Sequence, residues 1–192
     1  MIEFLLNLDV FIFYFINLKL QNPFFDFIMV GVTTRDYWLI PMWVAWLLLF
    51  IFGKRKGRVL ALFLLILIAI SDQTSSHLIK PLVGRVRPCN VLPDVHLLVY
   101  CSKAGSFPSS HATNLFAAST LISYFYRKAK VVFFSIAFLV SFSRIYVGVH
   151  YPSDIIGGAL LGIFCAWIII NLFKFIDSKT AWLGTERLIK GQ

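Results

Sequence analysis

The chain has 192 residues, of which 59% are hydrophobic and only 14% are charged, and its mean hydropathy is +0.81. Soluble domains contain about 25% charged residues, so this composition excludes an ordinary soluble domain and indicates an integral membrane protein. The net charge of +9 would suggest nucleic-acid binding in a soluble protein, but lysine and arginine also collect in the cytoplasmic loops of membrane proteins.

The N-terminal segment contains a short apolar run, VFIFYFINL, which KLQN and Pro23 interrupt. A run of about ten apolar residues is too short to cross hydrocarbon and is more typical of a segment at the membrane surface. We therefore expect residues 1 to 35 to form one or two interfacial helices, with a broken first span as the alternative.

Apolar segments separated by charged turns occupy most of the remaining chain. The five segments cover residues 37 to 53, 59 to 79, 111 to 126, 131 to 149 and 153 to 173. At about 1.5 Å per helical residue, each is roughly long enough for a hydrocarbon core of about 30 Å. The predicted fold is an all-α polytopic membrane helical bundle with five transmembrane helices, or six if the N-terminal segment spans, in a single domain over residues 1 to 192.

Positive charge follows alternate spans. The clusters are Lys54, Arg55, Lys56 and Arg58; Arg127, Lys128 and Lys130; and Lys174, Lys179, Arg187 and Lys190. With five spans these clusters share one side, which the positive-inside rule makes cytoplasmic. The loop at residues 80 to 109 and the turn at 150 to 153 then face the periplasm of a bacterial inner membrane. This topology explains most of the charge without a nucleic-acid partner.

Two of the three cysteines, Cys89 and Cys101, lie in the predicted periplasmic loop, where a disulfide is chemically permitted. Their spacing allows a bond but does not establish one, so their pairing stays open. Cys165 lies inside the last apolar segment and is expected to pack there.

Three polar stretches fall at or near the periplasmic ends of the predicted spans. They are KPLVGRVRP at residues 80 to 88, FPSSH at 107 to 111 and SRIYVGVHYPSD at 143 to 154. Their lysine and arginines suit phosphate oxygens, and a histidine can attack phosphorus or protonate a departing oxygen. Taken singly, each arginine could extend to the headgroups. Ionisable groups from three distant segments at the edge of hydrocarbon instead indicate a shared site.

Local spacing suggests how some of these residues act. Asp154 follows His150 by four residues, so its carboxylate can either favour a helix start or fix the tautomer of the imidazole. Ser109 and Ser110 precede the helix of His111 and can cap it, while its free N–H groups point at an anion.

Together these stretches resemble the signature K-x6-R-P, P-S-G-H and S-R-x5-H-x3-D of the type 2 phosphatidic acid phosphatase superfamily of membrane lipid phosphatases. The first and third motifs match fully. In the second, Ser110 replaces the usual glycine, which puts the role of that backbone amide in question.

The resemblance implies that His150 is a nucleophile that forms a phosphohistidine, that Asp154 orients it, and that His111 protonates the leaving group. The phosphate-binding residues that it implies are Lys80, Arg87, Ser109, Ser110 and Arg144. It also implies that neither a metal nor another cofactor is needed.

The expected substrate is a phosphorylated membrane lipid, since the chain is similar to compact bacterial members of the superfamily. Arg85 and Lys103 could meet a second anionic group on a large lipid, which favours lipid A 1-phosphate. Phosphatidylglycerophosphate and undecaprenyl pyrophosphate are the alternatives. A rival of another class is a non-catalytic anion transporter or lipid-binding membrane protein.

The last two expectations concern packing. Gly158-x-x-x-Gly162 predicts close approach of another helix to the last span. Asp72 and His77, at the polar end of the second span, either line a cavity or form bonds between helices, and we favour the structural role.

Overall fold

The computed structural model describes residues 2 to 180, and the regular secondary structure in that range is helical. The helices are α1 (Ile2–Tyr14), α2 (Pro23–Thr33), α3 (Arg35–Phe52), α4 (Lys54–Gln73), α5 (Lys80–Val83), α6 (Pro88–Val91), α7 (Ser110–Phe125), α8 (Lys130–Tyr146) and α9 (Pro152–Thr180). Two π-helical stretches, Phe15–Lys19 and Thr74–Ile79, prolong α1 and α4, and a 3-10 turn, Arg127–Ala129, precedes α8. Arg187 and Lys190 of the third positive cluster lie outside the described residues.

Four helical segments in this part of the chain are long and apolar enough to cross a membrane: Arg35–Phe52, Lys54–Val91, Arg127–Tyr146 and Pro152–Ser178. The all-α membrane bundle expected from the sequence is therefore confirmed. The remaining expected span corresponds to α7, which has only 16 residues, so the count of five spans stays a prediction.

The core of the bundle lies between α4, α7 and α9. Its buried side chains include Leu60, Leu67, Leu121, Phe125 and Phe173. Aromatic contacts extend this core, because the rings of Phe125 and Phe173 lie 5.4 Å apart. Because lipid tails are as apolar as these side chains, the three-helix contact is stabilised mainly by close van der Waals packing.

Two glycines bring α7 and α9 together at their sides. A Cβ atom on Gly158 would lie 2.6 Å from the carbonyl oxygen of Ser109, and one on Gly162 would overlap the carbonyl oxygen of Thr113. The close helix approach expected from these glycines is confirmed. As a consequence the beginnings of the two helices meet, and Ser109 N donates to the Asp154 carbonyl at 3.0 Å.

The α8–α9 turn is shaped by Gly148, whose φ of 87° belongs to the left-handed region that other residues avoid. Because of this turn the N–H groups of Val149 and His150 both donate to the Arg144 carbonyl, each at 3.2 Å. The sequence predicted a span to residue 149, but α8 ends at Tyr146. Pro152 opens α9. Its lack of an N–H is harmless there, because the N–H groups of the first helical turn have no intrahelical partner.

The N-terminal helix α1 docks on the end of the bundle where the three polar stretches meet. Asp9, Phe13 and Asn17 are buried on one side, whereas Phe4 and Phe11 are exposed on another. Asn17 Nδ2 donates to the carbonyls of Tyr146 and His96, at 2.7 and 2.8 Å. Neither α1 nor α2 is among the four long apolar segments, and their interfacial position stays a prediction.

The segment expected to be a periplasmic loop, residues 80 to 109, contains the short helices α5 and α6. Its two cysteines form a disulfide, Cys89–Cys101, with Cα atoms 6.3 Å apart. The pairing that the spacing left open is therefore formed, and the bond joins α6 to the loop segment that leads to Ser109.

Candidate active site

His150 lies at the centre of the site and is only 2% exposed. Its Nδ1 atom is 3.3 Å from Asp154 Oδ2, which also accepts the backbone N–H of Tyr151 at 2.9 Å. A carboxylate only accepts hydrogen bonds, so the proton of a neutral imidazole belongs on Nδ1 in this arrangement. The lone pair then lies on Nε2.

Arg87 supports the same tautomer from the other side of the ring. Its Nη1 atom lies 3.1 Å from His150 Nε2, and an arginine can only donate, so Nε2 accepts. The guanidinium is held by two further bonds, from Nη1 to the Val149 carbonyl and from Nε to the Ala104 carbonyl, both at 3.0 Å. The turn that presents His150 thus also fixes its neighbouring cation.

The charge state of His150 suits a nucleophile. Burial lowers the pKa of His150 well below its usual value of 6.5, and the positive charges of Arg87, Arg144 and Lys80 lower it further. The imidazole is consequently neutral near pH 7, and its Nε2 is unprotonated and accepts the hydrogen bond from Arg87.

Lys80 is the second buried cation, with 8% of its surface exposed. Its Nζ atom donates to the Pro108 carbonyl at 2.8 Å, which ties the start of α5 to the loop before α7. It interacts electrostatically with Arg87, Asp154 and Arg144. An ammonium has three donors, so two remain for an anion.

Two buried donors at the site have no hydrogen-bond partner among the described residues. They are Ser109 Oγ and Arg144 Nε, although Arg144 Nη1 donates to Thr33 Oγ1 at 2.7 Å. Buried donors are nearly always satisfied in folded proteins. A bound anion between these groups would satisfy both.

His111 lies in the first turn of α7 and interacts electrostatically with Arg144, His150 and Lys80. Within residues 2 to 180 its ring has no hydrogen-bond partner. The two histidines therefore differ, since one is held on both ring nitrogens and the other is held on neither.

Ser110 uses its hydroxyl elsewhere. That oxygen shares hydrogen bonds with Ser75 and Ser76 of the π-helical stretch after α4, at 3.1 and 3.0 Å. Any contact of Ser110 with an anion would accordingly come from its backbone N–H, one of the orphan donors of a helix start.

Arg85, Asp9 and Ser153 make contacts in the site that sequence reasoning missed. Arg85 Nη1 lies 2.9 Å from Asp154 Oδ1, and Nη2 lies 2.6 Å from Asp9 Oδ2. The expectation that Arg85 meets a second anionic group of the lipid is wrong, because its guanidinium already bridges two carboxylates, whereas Lys103 is exposed. An acid inside the apolar stretch of α1 was the available signal, since such groups need a partner.

The expectation for the polar end of α4 is confirmed for Asp72, which links helices. Its Oδ1 accepts from Asn114 Nδ2 at 2.9 Å, and Ser71 Oγ donates to Asn114 Oδ1 at 2.7 Å. His77 is exposed.

Comparison with known proteins connects this geometry to a family. The model of the PAP2 superfamily matches residues 58 to 177. A lipid A 4'-phosphatase of Bacteroides thetaiotaomicron is 35% identical over 204 residues, covering 100% of this chain and 87% of that protein.

Two solved structures have the same fold. LpxE of Aquifex aeolicus superposes with a TM-score of 0.71 at 32% identity, covering 85% of this chain and 95% of that one. A PAP2-type phosphatidylglycerolphosphate phosphatase of Bacillus subtilis gives 0.72 at 25% identity, covering 92% and 87%. The chain therefore belongs to the PAP2 superfamily and is a multi-pass membrane enzyme, a lipid phosphatase.

Proposed function

We propose that the enzyme removes phosphate from its lipid through a phosphohistidine on His150. The observation that supports this most is the fixed imidazole, with Nδ1 on Asp154 at 3.3 Å and Nε2 on Arg87 at 3.1 Å. This arrangement directs the lone pair of Nε2 toward the cations that would hold the phosphoryl group.

In the first step the His150 Nε2 electron pair forms a bond to phosphorus while the bond from phosphorus to the lipid oxygen breaks. His111 donates its proton to that departing oxygen, and the negative charge of the phosphate beside it favours its protonated form. In the second step His111 takes a proton from water, the water oxygen attacks phosphorus, and the bond to Nε2 breaks. Phosphate is released.

The cations contribute by stabilising charge on the phosphoryl oxygens. The proposed phosphate-binding groups are the side chains of Lys80, Arg87, Ser109 and Arg144 and the backbone N–H of Ser110. Phosphoryl transfer needs mainly positioning and charge stabilisation. Groups fixed by neighbouring carbonyls provide both without reorganising during the reaction.

The covalent step is tested by reacting the protein with ³²P-labelled lipid phosphate and quenching at alkaline pH, because phosphohistidine is lost in acid. We expect label on the unaltered protein and on His77→Ala, an exposed histidine that serves as the matched control. His150→Ala should lack label and lose about 10⁴-fold or more in turnover. Label or full turnover in His150→Ala would remove the nucleophile assignment.

The proposed substrate is lipid A. The sequence favoured the 1-phosphate, whereas the relative that covers the whole chain is named a lipid A 4'-phosphatase, so the 4'-phosphate is now the favoured position. Exposed Lys103 stays available to a second anionic group. Phosphatidylglycerophosphate and undecaprenyl pyrophosphate are the alternatives.

One assay distinguishes between these candidate substrates. The purified protein is incubated in detergent with bis-phosphorylated lipid A, phosphatidylglycerophosphate and undecaprenyl pyrophosphate, and mass spectrometry identifies which phosphate leaves. We expect lipid A to lose its 4'-phosphate. Intact lipid A beside hydrolysis of another lipid would contradict the proposed substrate but not the phosphatase mechanism.

We also propose that the enzyme lies in the bacterial inner membrane with its site facing the periplasm. The clusters at residues 54 to 58 and 127 to 130 lie at the opposite helix ends from the site, which agrees with the positive-inside rule. The Cys89–Cys101 disulfide also suits an oxidising compartment. In intact cells an impermeant maleimide should modify Lys103→Cys but not Lys128→Cys, and the reverse pattern would contradict this orientation.

A further inference from the structure

Arg85 connects the orienting carboxylate of the site to the N-terminal helix. It donates from Nη1 to Asp154 Oδ1 at 2.9 Å and from Nη2 to Asp9 Oδ2 at 2.6 Å. The side chains of Asp154 and Asp9 are 0% and 8% exposed, and that of Arg85 is 20% exposed. These three side chains form a largely buried chain of ion pairs rather than a surface pair. Removal of one member of such a chain leaves an uncompensated charge.

The guanidinium of Arg85 is held in place by its surroundings. It stacks over the ring of Tyr151, with Cζ 4.0 Å from the ring centre, and Nη1 also donates to Ser153 Oγ at 2.5 Å. Both neighbours belong to the turn that follows His150, so Arg85 packs against the same backbone that presents the nucleophile.

Asp9 fixes this arrangement from α1. Its Oδ1 accepts the backbone N–H of Ser153 at 2.9 Å, and its Oδ2 accepts the Ser153 hydroxyl at 2.5 Å. The N–H groups of the first helical turn lack intrahelical partners and favour negative charge. Asp9 therefore caps α9 from another helix while it also pairs with Arg85.

The two oxygens of Asp154 are divided between two tasks. Oδ2 accepts from His150 Nδ1 and Tyr151 N, and Oδ1 accepts from Arg85. Rotation of the carboxylate would break the bond to Arg85. The arginine thus holds the plane of the carboxylate in the orientation that faces the imidazole, and it supplies the opposite charge that a fully buried carboxylate requires.

We propose that Arg85 is a positioning residue that holds Asp154, and through it the His150 imidazole, and that Asp9 anchors Arg85, so that turnover depends on the docking of α1. The inference rests on the proposed role of His150 as nucleophile. Arg85 does not touch the phosphoryl group in this assignment. Its Nη1 and Nη2 atoms donate to two carboxylates and a hydroxyl, and the proposal leaves the phosphate to the other cations.

The test measures kcat and KM for lipid A and for 4-nitrophenyl phosphate, together with inhibition by orthovanadate. We expect Arg85→Ala to lower kcat by about 10- to 100-fold, the range found when a hydrogen-bonded partner of a metal-binding side chain is removed. KM and the vanadate inhibition constant should change by no more than about twofold, because the phosphate-binding groups remain. Arg85→Lys should lie in between, since an ammonium cannot bridge two carboxylates with a planar fork.

Asp9→Asn should lower kcat by a smaller factor than Arg85→Ala, because Arg85 keeps its bond to Asp154. The matched control is Glu3→Gln, an exposed acid on the same helix, which should leave kcat unchanged. Arg35→Ala, an exposed arginine, is the corresponding control for Arg85→Ala.

A double-mutant cycle separates positioning from a general structural role. In an Asp154→Asn background, Arg85→Ala should cause little further loss of kcat, because its effect passes through that carboxylate. Fully multiplicative losses, an unchanged kcat in Arg85→Ala, or a loss confined to KM and vanadate inhibition would each overturn the proposal. If Arg85→Ala does not fold, Arg85→Lys and Asp9→Asn enter the same cycle.

The proposed function and the positioning role of Arg85 can be contradicted independently of each other. Turnover that survives in His150→Ala would remove the nucleophile, whatever Arg85 does. An inactive His150→Ala beside a fully active Arg85→Ala would overturn only the positioning role.

Discussion

The site has two halves that differ in how completely their polar groups are bonded. In the half around His150, each ring nitrogen has a partner, and Asp154 is held in turn by Arg85 and Tyr151. In the half around His111, the ring has no partner within residues 2 to 180, and Arg144 Nε and Ser109 Oγ are buried without one.

This difference shows how a phosphatase can hold its nucleophile rigidly and still bind an anion. A nucleophile needs a fixed tautomer before substrate arrives, so its partners belong to the protein. Groups that bind the phosphoryl oxygens must keep free donors, because preorganised donors stabilise charge only if they are not already satisfied. The bonded half therefore orients the nucleophile, and the open half keeps donors free to bind the anion.

Within the open half, the largest effect is expected from His111→Ala. For lipid phosphates, whose alkoxide leaves poorly, kcat/KM, which reports the first step, should fall by about 10²- to 10⁴-fold, since general acid catalysis contributes that much. For 4-nitrophenyl phosphate, whose leaving group needs little protonation, the loss should be much smaller. Rate measurements on both substrates test this, and equal losses would contradict the acid role.

The next effect comes from Arg144→Ala, which removes a cation that retains an unused donor. We expect kcat/KM to fall by about 10²- to 10³-fold, as for loss of one charge-stabilising donor. Orthovanadate should raise the melting temperature of the unaltered protein but not that of Arg144→Ala. Thr33→Val, which removes only the hydroxyl that Arg144 contacts, should lose far less. A vanadate response retained in Arg144→Ala would argue against an anion at this group.

Packing between α7 and α9 brings the two halves together, and Gly162→Ala tests it. The added methyl group would overlap the Thr113 carbonyl oxygen, and such overpacking costs about 1 to 3 kcal/mol of unfolding free energy. Gly31→Ala is the control, since nothing lies within 4 Å of its added Cβ. Thermal unfolding in detergent should show a lower melting temperature for Gly162→Ala only, and equal melting temperatures would contradict the close contact.

The smallest expected effect is on the pH profile of the bonded half. Burial and nearby cations lower the pKa of His150 well below 6.5, so its neutral form persists as the pH falls from about 8 to about 6. Accordingly kcat/KM of His111→Ala with 4-nitrophenyl phosphate, where no acid is needed, should stay level over this range. A one-proton decrease with a midpoint near the ordinary histidine value would contradict a neutral, buried nucleophile.

Much of the fold was predictable because its signals are local. Hydropathy alone indicated a helical membrane bundle, and the predicted segments at residues 37 to 53 and 111 to 126 lie within a residue or two of α3 and α7. Boundaries were least accurate where a turn is bonded in tertiary structure, as at Gly148, where α8 stops early. A positive φ at one glycine has no hydropathy signature.

The sequence by itself determined the membrane class, the small residues that let α9 approach α7, and the three motifs from which His111, His150 and Asp154 were nominated, since composition and spacing express all of these along the chain. Tertiary structure alone decided that Cys89 bonds to Cys101, that the Ser110 hydroxyl turns to Ser75, and that Arg85 bridges Asp154 to Asp9. Asp9 and Arg85 are 76 residues apart. No local pattern joins groups at that distance, because their pairing depends on where α1 docks.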